Sequence, residues 1–203
     1  AFSGQQFTRP QTRPLLCSRL LSGPAASEYE QYKNLPPVGI VVAQGFTETT
    51  PQQRATVQKV YDVIRDSAKE HKIPLSLPPV AEDQTTFKAN FSLYSGLEFS
   101  PDVFWRYRSE RLASSLVVFV VRLSDQFSES RAVEMGYTVA LKMAGGQQDP
   151  WKHIHILMGP EAKLQTTMLK NANLFDFDIK DIPALRSYVD KVIDKVAAQF
   201  RIQ

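Results

Sequence analysis

The chain has 203 residues, 43% hydrophobic and 22% charged, which suits one folded domain of about 150 residues with an appendage. No apolar run approaches the roughly 18 residues of a membrane-crossing helix, and the single cysteine, Cys17, excludes an internal disulfide or a cysteine-based metal cluster. The formal charge of +3 comes from the start of the chain: Arg9, Arg13 and Arg19 precede the first acid, Glu28, and the remainder balances 21 bases against 21 acids, which argues against a nucleic-acid surface on the body.

Residues 1–37 carry Pro10, Pro14, Pro24, Pro36 and Pro37 and hold no sustained period. Three arginines, several Ser and Thr, the pairs Leu15-Leu16 and Leu20-Leu21, and the absence of acid before Glu28 match an organelle-targeting composition. A mitochondrial location is expected, in the matrix or on the matrix side of the inner membrane. A proline-broken segment of this kind buries too little apolar surface to order itself. With Ala1 rather than methionine first, it reads as a processed, extended basic tail lying along a partner, its arginines facing acidic protein surfaces or lipid headgroups.

The body is expected over 38–203. Val38 to Ala43 reads as an apolar strand, followed by a Gln44-Gly45-Phe46-Thr47 turn and a helix opened by Thr50-Pro51. Val57, Val60, Tyr61, Ile64 and Ala68 form the inward stripe of that helix. Ile73 to Val80 reads as an edge strand shortened by Pro74, Pro78 and Pro79. Residues 81–99 read as a long polar and aromatic loop facing a partner. Ser100-Pro101 then opens a second helix with Phe104, Tyr107 or Arg108, and Leu112 on one side.

Val117 to Val121 reads as a central strand buried on both faces. After a polar stretch, 124–130, comes a helix with Val133, Tyr137, Ala140, Leu141 and Ala144 as its inward stripe. Glu134 falls in its first turn, just past the carboxyl end of the central strand. Ligands bind there in open α/β sheets, and an acid there also suits the helix dipole. Gly145-Gly146 stops the helix, and His153 to Met158 forms the next strand. His153 and His155 share a face of it, but no third ligand accompanies them and no metal is expected. A fifth strand near Leu174 to Ile179 precedes a helix capped by Asp181, with Leu185, Tyr188, Val189, Val192, Val196 and Phe200 facing in. The alternation predicts a three-layer α/β sandwich with a five-stranded, mainly parallel sheet, flavodoxin-like or related. No strand is followed by a glycine-rich dinucleotide fingerprint or a P-loop, and no cofactor is expected.

Three stretches carry a resemblance. They are Val38-Gly-Ile-Val-Val-Ala-Gln-Gly-Phe46, the helix and strand from Phe104 to Val121, and Ala132-Val-Glu134-Met-Gly136-Tyr137-Thr-Val-Ala140-Leu. Over residues 38–200 the chain resembles the nucleoside 2-deoxyribosyltransferase family, including its relatives that hydrolyse deoxynucleoside monophosphates. The resemblance implies the same fold and Glu134 as the nucleophile that forms a covalent glycosyl ester. It further implies Gln44, Gly45, Phe46, Tyr107, Ser128 and Ser130 as substrate-binding positions.

Three departures point to a degenerate site. The family's helix-two aspartate falls at Tyr107 or Arg108, neither of which can serve as its general acid at neutral pH. The loop reads Ser128-Glu129-Ser130-Arg131 where the family favours glycines, so side chains fill the space backbone and sugar would share. The family's loop acid falls at Ser128, with Asp125 and Glu129 nearby; Arg131 is placed to pair with Glu134 at helical spacing. Loss of acid–base help alone lowers a rate roughly 10²–10⁴-fold. The expectation is a non-catalytic accessory subunit of a large mitochondrial assembly, meeting other subunits through residues 1–37 and 81–99. The neutral body favours ATP synthase or a respiratory complex over the mitochondrial ribosome. The alternatives are an active nucleotide N-glycosyl hydrolase or transferase using Glu134, and a nucleotide-binding regulatory module without chemistry.

Overall fold

The computed structural model describes Leu35 and residues 38–43, 50–79, 81, 83–123, 129–144, 153–162 and 175–200, all within the unit Leu35–Gln203. Apart from Leu35, the expected tail lies outside them, as does the turn at 44–47. The elements are β1 (Ile40–Ala43), α1 (Pro51–Glu70), β2 (Leu75–Ser76), α2 (Gln84–Ser95), α3 (Pro101–Ser114), β3 (Val117–Arg122), α4 (Glu129–Ala144), β4 (His153–Met158), β5 (Phe175–Asp178) and α5 (Ile182–Phe200). None of the described helices is long and apolar enough to cross a membrane.

The five strands form one sheet in the order β2-β1-β3-β4-β5, and every pairing is parallel. That is the flavodoxin-like order, and its topological switch point lies between β1 and β3. All six residues of β3 are buried. Its alternation sends Val117, Phe119 and Val121 into a core with α1 and α5, and Val118 and Val120 into a second core with Met135 of α4 and Leu112 of α3. The result is the expected three-layer sandwich.

The ends of α1 follow the capping signals. Thr50 Oγ1 accepts from the Gln53 amide while Gln53 Oε1 accepts from the Thr50 amide, and Pro51 takes the first helical position. At its other end Ser67 donates to Asp190 at 2.5 Å, tying α1 to α5. The Asp181 carboxylate accepts from the Ala184 amide and starts α5.

Three local expectations need correction. Of the described residues 73–79, only Leu75 and Ser76 form strand, because Pro74, Pro78 and Pro79 bring no amide hydrogens to a ladder; the strand is at an edge as expected. Residues 81–99 are not a long loop, since Gln84–Ser95 is helical. The Asp83 carboxylate accepts from the Thr86 amide at 2.8 Å, Gly96 closes the helix at φ 72°, and Phe87 and Phe91, one turn apart, bury edge-on against Phe104 of α3. Finally, α4 is turned differently from its expected stripe. Arg131, Glu134, Met135 and Thr138 are buried, while Val133 is 53% exposed and Ala140 is also exposed. The segment 132–141 is apolar on more than one face, so hydrophobic spacing leaves its rotation open, and the polar contacts of Arg131 and Glu134 set it.

Candidate functional site

The site is built from three elements at the carboxyl edge of the sheet. From α3, Arg108 reaches across to α4, where its Nε donates to Glu134 Oε1 at 2.7 Å. Its Nη2 donates to the carbonyl of Val42, near the end of β1, at 2.9 Å. The two side chains are 3% and 10% exposed, so this ion pair is almost wholly removed from water. Burial works to lower the pKa of the guanidinium, but Glu134 outweighs it and Arg108 is held above its usual value. Arg131, one turn before Glu134, directs its Nη1 to the carbonyl of Val121 at 3.3 Å.

Tyr61 of α1 is close enough to feel the charges of this pair. It is wholly buried, and burial drives its phenol far above the usual range, Arg108 and Arg131 pulling it down and Glu134 pushing it up. Tyr107 sits beside Arg108 on α3, edge-on to Phe91 and Tyr94, with the Arg111 guanidinium 5.0 Å over its ring. The Tyr94 hydroxyl meets Ser76 Oγ at 2.7 Å, and burial of that hydroxyl, aided by Tyr107, raises its pKa to about 12. Tyr61 and Tyr94 also line an open groove of about 360 Å³ with Leu77, Pro78, Asn90 and Leu93.

Among the positions singled out from sequence, Glu134 and Tyr107 fall on neighbouring helices α4 and α3. Gln44, Gly45, Phe46 and Ser128 lie outside the described residues, and Ser130 is in the first turn of α4 with its side chain not described. His153 and His155 stack at 6.0 Å, yet His155 is a core residue: its Nδ1 bonds Tyr188 Oη at 2.7 Å. Burial first, then His153, depresses its pKa to about 3, so the ring is neutral. No trio of His, Cys, Asp or Glu is placed to hold a metal among the described residues.

Sequence reading missed the partner of Glu134. Arg108 was one of the two positions, with Tyr107, at which the resemblance puts an acid, and it is the one bonded to the glutamate. Charge complementarity between it and a buried Glu134 was the available signal.

As a chemical device the arrangement is poor. A glycosyl-transferring carboxylate needs a free oxygen and a second group able to exchange protons. Here the group bonded to Oε1 is a guanidinium, which does not give up its proton in this pH range, so Arg108 does not meet the second requirement.

No protein-family model matches the chain, and no curated protein matches its sequence. Among solved structures, a CMP N-glycosidase from Clostridium botulinum is similar at TM-score 0.49 and 11% identity, covering 76% of this chain and 98% of its own. A flavodoxin-like domain from Synechococcus sp. is similar at TM-score 0.47 and 10% identity, covering 81% of this chain and 100% of its own. Likenesses this distant concern the path of the chain, and no residue role is taken from either.

Proposed function

We propose that this chain is a non-catalytic accessory subunit of a mitochondrial protein assembly, built on a flavodoxin-like sheet whose deoxyribosyltransferase-like site has been closed. The observation that carries the reading is the ion pair itself. Arg108, one of the two positions where the resemblance calls for an acid, is bonded to one oxygen of the carboxylate that would be the nucleophile. An exposed apolar face supports a chain covered by other polypeptides: Val133 is 53% exposed on α4, and Ala132, Gly136 and Ala140 are exposed beside it. The acid-free basic segment before Glu28 supports the mitochondrial address, and the charge-balanced remainder favours ATP synthase or a respiratory complex over a ribosome.

The test is an assay of the purified chain with each common deoxynucleoside and its monophosphate, following release of free base. No release above the buffer rate is expected. Turnover that disappears in Glu134→Ala would overturn the reading and make the chain an N-glycosidase.

A further inference from the structure

The edge strand β2 is followed by Leu77-Pro78-Pro79, and this segment, α1 and α2 line the open groove of about 360 Å³. Its shape is preset. Proline fixes its own φ and brings no amide hydrogen, so Pro78 and Pro79 offer a stiff apolar surface. The Tyr94 ring on α2 is held through its hydroxyl by Ser76 at 2.7 Å and lies edge-on to Tyr107 at 5.8 Å. Little ordering therefore remains to be done when another group enters.

On α1, Gln58 Nε2 and Arg65 Nη1 both donate to Asp62 Oδ1, at 2.9 and 2.6 Å. One carboxylate oxygen thus gathers an amide and a guanidinium at the groove. The amide uses its nitrogen there and keeps a carbonyl oxygen to accept, while the guanidinium keeps Nε and Nη2 to donate. An acceptor beside donors answers the N–H and C=O of a peptide unit. Among the described lining residues Arg65 is the one that is charged, and Asp62 matches it. A charged group entering here would lose water and meet no opposite charge in excess. On α2, Leu93 is 86% and Tyr94 44% exposed. A small molecule inside the groove would leave Leu93 in water, whereas a polypeptide running on past it would cover it. Ligand pockets begin at roughly 300 Å³, so this groove suits one large side chain rather than a folded element.

We infer that this groove docks an extended segment of another polypeptide, anchored by one bulky uncharged side chain of the phenylalanine kind, with the peptide unit beside it bonded to Gln58 and Arg65. Aromatic anchors seated in preformed pockets carry most of the energy of such contacts. The partner is one of the other subunits of the accessory-subunit reading, on which this docking rests. Binding of the peptide itself is measured without that reading.

The test is NMR titration of the isotope-labelled full chain with the capped tripeptide acetyl-Ala-Phe-Ala-amide, read at the side-chain amides of Gln58 and Asn90 and the backbone amide of Leu93. Saturable shifts are expected, with a Kd on the order of 1 mM. The same peptide with alanine or aspartate at its centre should bind roughly tenfold more weakly. Methylating the phenylalanine nitrogen removes one hydrogen bond and should weaken binding about fivefold. Leu93→Ala, at a position too exposed to threaten the fold, should weaken it several-fold. Absent shifts overturn the docking, as does an affinity indifferent to the central side chain, to the methyl group or to Leu93→Ala. Phenol bound as tightly as the peptide would mark a small-molecule pocket and overturn it too. Base released in the deoxynucleotide assay would sink the accessory-subunit reading and leave the measured peptide binding intact. Peptides that fail to bind would leave that reading standing on Arg108 and Glu134.

Discussion

Arg108 Nε and Glu134 Oε1 lie 2.7 Å apart, joining α3 to α4 across 26 positions of sequence, with 3% and 10% of the two side chains exposed. Removing either partner leaves the other charge buried without compensation, which costs about 3–5 kcal/mol, whereas replacing both by apolar groups of similar volume is often neutral. Arg108→Met and Glu134→Met should therefore each lower stability by roughly that amount, and the double variant should recover most of the loss. Urea unfolding of the four proteins measures the coupling. A coupling under about 0.5 kcal/mol would mean that the contact does not organise this end of the sheet.

His71, at the end of α1, gives a second prediction. Its Nδ1 faces the Ser67 carbonyl at 2.8 Å and its Nε2 faces Asp194 Oδ1 at 2.7 Å. Both are acceptors, so both ring nitrogens carry protons in this arrangement. The Ser67 carbonyl first, then Asp194, raise its pKa above the usual 6.5 against an opposing effect of burial. A pKa raised by folding contributes stability that is fully present below 6.5 and fades as pH rises through the folded value. Asp194 is 68% exposed, so solvent screening keeps the contribution under about 1 kcal/mol. Between pH 6 and pH 9 the wild type should lose more stability than His71→Gln, read from urea midpoints at each pH. Parallel pH curves for the two proteins would remove His71 from the account.

The third prediction concerns the helix that was expected to be a loop. Gly96 closes α2 at φ 72°, and a Cβ built there meets nothing within 4 Å. Gly96→Ala should therefore destabilise through backbone strain alone, by about 1–2 kcal/mol, with no steric term. Asp83→Ala, which removes the cap at the other end, should also lower the midpoint. A neutral Gly96→Ala would show that the turn after α2 has freedom to take another shape.

These cases show which parts of the molecule local sequence can specify. The run from Val117 to Val121 has no polar residue to expose, so a strand in the middle of a parallel sheet was readable from it, and Thr50-Pro51 marked the start of α1 by capping chemistry. Asp83 and Gly96 were the same kind of signal for α2, but the polar residues between them, Gln84 to Thr86, Lys88 and Asn90, masked its short buried stripe of Phe87 and Phe91. The rotation of α4 was not legible, because its apolar residues cover more than one face and the deciding contacts come from Arg108 on another helix and Val121 on a strand. At the site, Glu134 was readable from its place after β3. Its partner was not, since a charge pair 26 residues apart has no local period.

The outward face of α4 carries the last prediction. Between Arg131 and Lys142 the only charged residue is Glu134, and it is buried. Among the described side chains of α4, those exposed to solvent are Ala132, Val133, Gly136 and Ala140, with Val133 53% exposed and open space beyond the Gly136 Cα. A surface helix in water normally presents charged or polar residues on that side. Gly136 meets open space and Val133 is half exposed, so neither Val133→Lys nor Gly136→Leu should unfold the chain: the first should alter stability by no more than about 0.5 kcal/mol and the second should raise it by about 0.5–1 kcal/mol through helix propensity. If other subunits cover this face, both variants should nonetheless drive the chain out of its assembly. Lysine brings a charge that must be desolvated, and leucine keeps a neighbouring backbone from coming close. Native electrophoresis of extracts from cells carrying each tagged variant reads the result directly. Wild-type chain should migrate in a large particle and the two variants as free protein. Variants that still enter the particle, or a wild type that migrates alone, would remove this face from the account of what the protein does.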